Sequence, residues 1–321
     1  MSIFKINIDI EKSIEVDASI DAVWTNISDT KQKNIWSPWM IFERDCEQKT
    51  KGRSAKVGYR EYWNGKIVGE GEQIITDISK NQYIVYDLNF IKPFKSKNTT
   101  SFHLESISEN KTKVIWKMSG SLPIFLFFLK KMMTFMIGKD FERGLKMLKE
   151  LLEKGELDTE TKYNGQDIMK KKYFIGIIGE SGIEKLGDKL KADFTYLNDI
   201  VKEHNIKELS FFTRYLKTDM INNYFEFEAC VEISENDYKN FKAGIMSTYK
   251  LGSIEETKVS ITTHYGSYNF IDNSWTGAYM YTKANKLKID KSYPAIELYE
   301  NGPLDGSNEN DFVTHILFPI K

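Results

Sequence analysis

FERGLKMLKELLEKG, residues 141–155, decides the fold of the first half of the chain. Phe141, Leu145, Leu148 and Leu152 recur at spacings of 4, 3 and 4, which places them on one stripe of an amphipathic helix. Gly155 follows the last of them, where a left-handed residue would end the helix. Upstream, the pattern changes to period two. Residues 3–16 alternate as a strand, and Asp17 or Ser19 can cap a helix whose face carries Ile20, Trp24 and Ile27. REYWNGKIVGEGEQI, residues 60–74, has Asn64-Gly65 between strand-like runs, a strong hairpin signal. YIVYDLNF, TTSFHLESI and TKVIWKMSG read as further strands, the last two joined by the polar turn SENK. An antiparallel meander closed by a helix lying across it follows.

Downstream, GELDTETKYNGQD, residues 155–167, is polar, has two glycines and lacks a clear period, so it reads as linker. The expected organisation is 1–155, a linker at 156–169, and 170–321. At 321 residues, two cores are expected. The second half runs twice through strand, helix, strand, strand. KKYFIGIIGE precedes a helix bearing Ile183, Leu186, Leu190, Phe194, Leu197 and Val201, then FFTRYL and NYFEFEACVEI. KVSITTHYGSY precedes a helix with Trp275 and Tyr279, then AIELYENG and FVTHILFPIK. The shared order points to an internal duplication about a pseudo-twofold axis. The fold class is α+β.

Residues 5–154, through IEVDASIDAVWTNISD, NIWSPWM and IGKDFERGLKMLKELLE, resemble the START-like or SRPBCC (polyketide cyclase-like) superfamily. That resemblance implies a helix-grip antiparallel sheet with a long C-terminal helix around a cavity. Residues 170–321, through THYGSYNFIDNSWTGAYMYTKANKLKIDKSYPAIELYENGP and THILFPIK, resemble the GyrI-like effector-binding domain, also fused to AraC-type and MerR-type regulators. In that family a glutamate on a P-x-[apolar]-E-x-Y strand lies in an aromatic cleft between the repeats. The matching residue is Glu297, two before Tyr299, and the resemblance also picks out Trp275 and Tyr215.

By themselves the residues say less. On a strand, Ala295, Glu297 and Tyr299 share one face while Ile296 and Leu298 take the other, so the Glu297 face meets either water or a cleft. An exposed strand carboxylate is the commoner case. If Glu297 lines a cleft walled by Trp275, Tyr279 and Tyr299, with Tyr215, Tyr265 and Tyr268 nearby, a planar cation would supply the missing charge and stack on the rings. The same carboxyl could act as general acid or base with Tyr265, Tyr268 or Tyr299. The resemblance implies that second possibility too, since some GyrI-like proteins hydrolyse strained cyclopropane-bearing electrophiles. The expected ligand is a hydrophobic, cationic or electrophilic small molecule. Three readings stay open: a sequestering protein, a hydrolase using Glu297 and Tyr299, and a co-regulator acting through a protein partner.

Other chemistry is poorly supported. His103, His204, His264 and His315 never fall at ligand spacing, and Cys46 and Cys230 are far apart, so no metal and no cofactor is expected. Two cysteines and no signal-peptide pattern suit the cytoplasm. GIIGESG, residues 176–182, lacks the spacing of a phosphate loop or a nucleophile elbow and reads as a turn. The net charge of −1 divides as +5 for residues 1–155 and −6 for the rest, too little to imply direct nucleic-acid binding. LPIFLFFLKKMMTFMIG, residues 122–138, is broken by Lys130 and Lys131, which favours a buried helix or a cavity lid and no membrane partner. In the first half, Trp36, Trp39, Tyr59, Tyr62, Trp63, Phe90 and Trp116 suit either a lipid-sized cavity or a core. Sheet edges in the duplicated half would suit a homodimer.

Overall fold

The computed structural model describes residues 5–207, 210–241 and 249–321, so residues 3 and 4 of the expected first strand lie outside the described residues. The chain divides into two compact units, Met1–Leu157 and Asp158–Lys321.

The first unit runs β1 (Lys5–Val16), α1 (Ile20–Ser28), α2 (Thr30–Trp36), β2 (Glu47–Lys51), β3 (Arg60–Asn64), β4 (Glu70–Ser79), β5 (Tyr83–Lys92), β6 (Ser96–Ser108), β7 (Lys111–Pro123), a 3-10 segment Ile124–Leu129, and α3 (Lys130–Lys154). Its antiparallel sheet has the order β1-β7-β6-β5-β4-β3-β2. Ser19 caps α1, its hydroxyl accepting from the Ala22 amide. The apolar stripe of α3 buries Phe141, Leu145 and Leu148, and Gly155 ends it at φ +84°. Phe141 stacks on Trp116 with centroids 4.1 Å apart, which fixes the helix against the sheet.

The expected hairpin forms, β3 pairing antiparallel with β4 from Arg60 opposite Ile74 to Asn64 opposite Glu70, but its connection is wider than a two-residue turn. It spans 65–69 because the Glu43 carboxylate accepts from the amides of Lys66, Ile67 and Val68 at 2.7–3.1 Å, which stabilises a wider loop. Gly69 closes it at φ +73°, with the Lys92 carbonyl where a β-carbon would stand. The 122–138 stretch is no buried helix. None of Ile124–Leu129 is buried, and Phe125, Phe127 and Phe128 are each more than 60% exposed.

The second unit runs β8 (Thr159–Met169), β9 (Lys172–Ser181), α4 (Ile183–Glu203), β10 (Ser210–Asp219), β11 (Tyr224–Ile233), α5 (Glu235–Asn240), β12 (Lys250–Ile254), β13 (Thr257–Gly266), α6 (Ile271–Ala284), β14 (Ala295–Tyr299) and β15 (Val313–Pro319). Its sheet order is β12-β9-β11-β10-β14-β15-β13-β8. The order reads symmetrically from the β10/β14 seam, β10-β11-β9-β12 one way and β14-β15-β13-β8 the other, as a duplication requires.

Most of the expected linker is β8, an edge strand on β13. Its polar residues hid the period: Thr161 bonds Ser274 and Tyr163 stacks on Tyr281, while Glu160 and Lys162 face solvent. Only Gly155–Asp158 separate α3 from β8. The GIIGESG stretch is the end of β9 up to Ser181, with only Gly182 standing outside as the N-cap of α4.

Candidate functional site

β10 and β14 pair antiparallel with Phe211 opposite Tyr299, Thr213 opposite Glu297, and Tyr215 opposite Ala295. Paired residues share a face, so all six side chains project to the same side. The two long helices lie on that side, α4 over β9 and β11, α6 over β13, β8 and β15. The central strands β10 and β14 form the floor between them.

Glu297 is the acid on that floor, only 4% exposed. Trp275 Nε1 on α6 donates to Oε1. The hydroxyls of Tyr215 and Tyr299 both donate to Oε2, at 2.8 and 2.7 Å. With its proton committed to Glu297, Tyr299 accepts from Thr213 Oγ1 at 2.9 Å. Hydrogen bonds to a charged group contribute roughly 1.5–3 kcal/mol each, comparable in sum with the several kcal/mol lost on dehydrating a carboxylate. All three donors are neutral, and among the described residues no basic side chain forms an ion pair with Glu297. Burial therefore raises its pKa above the ordinary value, although Trp275, Tyr299 and Tyr215 each pull it down.

The rings around the acid are half-buried, so they reach the surface while the carboxylate lies beneath them. Tyr215 meets Trp275 edge to face at 5.1 Å, and Tyr299 meets Phe194 of α4 in the same manner at 5.5 Å. Tyr268 packs 6.1 Å from Tyr299. Its hydroxyl is pushed up to about 12, by burial first, with Glu297 and Asp305 adding and Thr314 opposing.

The expected constellation thus assembles from Glu297, Trp275, Tyr299, Tyr215 and Tyr268. Tyr265 does not join it. Thr262 and His264 pair with Ile316 and Thr314 on the Glu297 face, so Tyr265, one residue on, points to the opposite side of the sheet. Tyr279 is no wall either, being 51% exposed. Thr213 and Phe194 were missed. Aligning Thr-Arg-Tyr, 213–215, with Glu-Leu-Tyr, 297–299, would have found Thr213 as the counterpart of Glu297. His264 is buried between Ser274 Oγ (2.9 Å) and the Ser267 carbonyl (3.0 Å), and Cys230 is buried with its thiol pKa raised by burial. Among the described residues, no cluster of His, Cys, Asp or Glu is suited to a metal ion.

In the first unit, Trp36, Trp39, Trp116, Phe102 and Phe141 pack edge to face or stacked, filling their part of the interior. Tyr59, Trp63 and Phe90 lie further along, Trp63 edge-on to Phe90, whereas Tyr62 alternates to the outer face and bonds Glu70. The first unit also holds a second buried carboxylate. Glu61 receives Lys33 Nζ at 2.6 Å, Thr30 Oγ1 at 2.5 Å and the Gln73 amide.

The fold is α+β, a helix-grip sheet followed by a duplicated β-α-β-β sheet with an acid at its seam. Residues 7–153 match the family described as polyketide cyclase / dehydrase and lipid transport, and residues 175–321 match the GyrI-like small molecule binding domain. The chain joins an SRPBCC-type domain to a GyrI-like domain, both of small-molecule-binding type. Protein MLL2253 from Mesorhizobium loti is 14% identical, with 46% of this chain and 99% of that one covered and a TM-score of 0.37. A Nitrosospira multiformis protein is 21% identical, with 45% and 95% covered and a TM-score of 0.36. The C-terminal domain of EcmrR is 13% identical, with 50% and 98% covered and a TM-score of 0.42. Likenesses this low carry no function across. No curated protein matches the chain.

Proposed function

We propose that the second unit captures a hydrophobic, cationic aromatic small molecule between α4 and α6, with Glu297 as its charge anchor. One observation carries this reading: a buried carboxylate held by three neutral donors, with partly exposed rings around it and, among the described residues, no ion-pair partner. A bound cation would supply the missing charge, and its contact with the faces of Trp275 and the tyrosines adds roughly 0.5–2 kcal/mol. The GyrI-like match supports a small-molecule site in this unit. The test is displacement of a cationic aromatic dye from wild type and from Glu297→Gln. A fall in affinity of about ten-fold or more is expected; equal affinity would reject the anchor.

A second reading is favoured by the Tyr299–Glu297 contact at 2.7 Å. A carboxylate of raised pKa can take a proton from water as its oxygen attacks an electrophilic carbon. The broken bond's leaving atom then receives a proton from Tyr299, which is regained from the protonated Glu297. Product analysis after incubation with a cyclopropane-bearing electrophile tests this. Turnover that survives in Glu297→Gln would exclude that carboxyl as the base.

A further inference from the structure

The 3-10 segment Ile124–Leu129 and the first turns of α3 expose Ile124, Phe125, Phe127, Phe128, Met132 and Met136. Another exposed ring, Phe94 at 77%, sits in the β5–β6 turn. The two stretches lie at one end of the first unit's sheet. Thr99 pairs with Ser119, and the Asn98 side chain reaches Gly120, so the β5–β6 turn and the end of β7 project the same way. Lys5, at the start of β1, pairs with Pro123 at that end.

Lysines predominate here, although Glu142 pairs with Lys139 at 2.8 Å and Asp9 and Asp87 lie near Lys97 behind the tip. Residues 88–104 contain Lys92, Lys95 and Lys97 and no Asp or Glu, and residues 119–139 contain Lys130, Lys131 and Lys139 and no Asp or Glu. Lys95, Lys130 and Lys131 are exposed, and among the described residues none has an ion-pair partner; Lys92 pairs with Glu70 at 2.7 Å. Apolar rings interleaved with Lys95, Lys130 and Lys131 fit a surface that is both apolar and anionic. A cluster of exposed phenylalanines is costly to leave in water, and the boundary of an anionic bilayer accepts the rings among acyl chains and the ammonium groups among headgroups. An acidic protein surface would match the charge but would not take up rings projecting this far without a complementary pocket.

We propose that this end of the first unit is a docking surface for the face of an anionic lipid bilayer, on which the protein lies without crossing it. Among the described residues no helix is long and apolar enough to cross a membrane, so this is contact at the interface. The proposal departs from the expectation of no membrane partner.

The test is co-sedimentation of the full chain with phosphatidylcholine vesicles, with and without phosphatidylglycerol. Binding is expected to the anionic vesicles only and to weaken as salt is raised. Phe125→Ser with Phe128→Ser, at exposed positions that leave the fold intact, should abolish it. Lys130→Glu with Lys131→Glu should lower it about ten-fold or more while melting stays as in wild type. Failure of the wild type to sediment with either vesicle, or binding indifferent to both double variants, overturns the proposal. So does a dimer in solution that Phe125→Ser with Phe128→Ser converts to monomer, since a second copy would then be the occupant.

Discussion

The chain buries two glutamates in opposite electrostatic circumstances. Glu61 in the first unit and Glu297 in the second are both under a tenth exposed, and each accepts three side-chain hydrogen bonds. The difference is one charge. Burial alone would raise the Glu61 pKa, but the Lys33 ammonium, with Thr30 and Gln73, brings it below the ordinary 4.5. Glu297 has two phenols and an indole instead, and its pKa stays raised. Neutral donors satisfy lone pairs without neutralising the charge. Glu61 is a completed ion pair, while Glu297 has no ion-pair partner among the described residues.

The largest effect should come from breaking the complete pair. Lys33→Met would leave Glu61 buried without its counter-charge and should destabilise the first unit by about 3–5 kcal/mol, read from urea unfolding. Glu297→Gln removes a charge that has no ion-pair partner among the described residues. Stability at neutral pH should change far less than in Lys33→Met, while cationic dye affinity falls about ten-fold or more.

The pH response should separate the pair by sign. The folded pKa of Glu61 is lowered, so its stabilisation is present above the ordinary 4.5 and is lost as pH falls through the folded value. The folded pKa of Glu297 is raised, so its contribution is full below 4.5 and is lost as pH climbs through the folded value. Melting temperatures of Glu297→Gln should therefore gain on wild type as pH rises, and those of Glu61→Gln should gain as pH falls.

Within the second unit, Trp275→Phe makes the α6 side resemble the α4 side, where Phe194 makes the equivalent ring contact. Losing that donor should raise the Glu297 pKa further and lower dye affinity roughly three- to ten-fold, measured as a shifted midpoint of binding against pH. The smallest expected effect is that of Tyr215→Phe or Tyr299→Phe, each roughly two- to five-fold in affinity. Tyr215 and Tyr299 occupy equivalent places about the pseudo-twofold, so their losses should match within a factor of about two, and a much larger loss at Tyr299 would favour the hydrolase reading.

Much of this was legible in the sequence because it rests on period. The stripe of α3, the alternation of β5 to β7 and the two strand–helix–strand–strand runs announce themselves through apolar residues. β8 was illegible because its inward side chains are Thr161 and Tyr163, polar groups satisfied by Ser274 and by stacking on Tyr281. The loop at 65–69 depends on Glu43, more than twenty residues away, which no local turn signal contains. At the site, Glu297, Trp275, Tyr215 and the motif tyrosine Tyr299 came from family resemblance, and strand alternation put Tyr299 on the Glu297 face. Tyr265 shows where proximity in sequence misleads: one residue along a strand exchanges one face of the sheet for the other.

The most direct test of the unpaired carboxylate is calorimetric titration of a cationic aromatic dye in two buffers of different ionisation enthalpy, across the pH range in which Glu297 titrates. Wild type should release protons as the cation lowers the Glu297 pKa, and Glu297→Gln should release none. Binding to wild type without proton release at any pH in that range, and with the affinity of the Gln variant, would contradict the account.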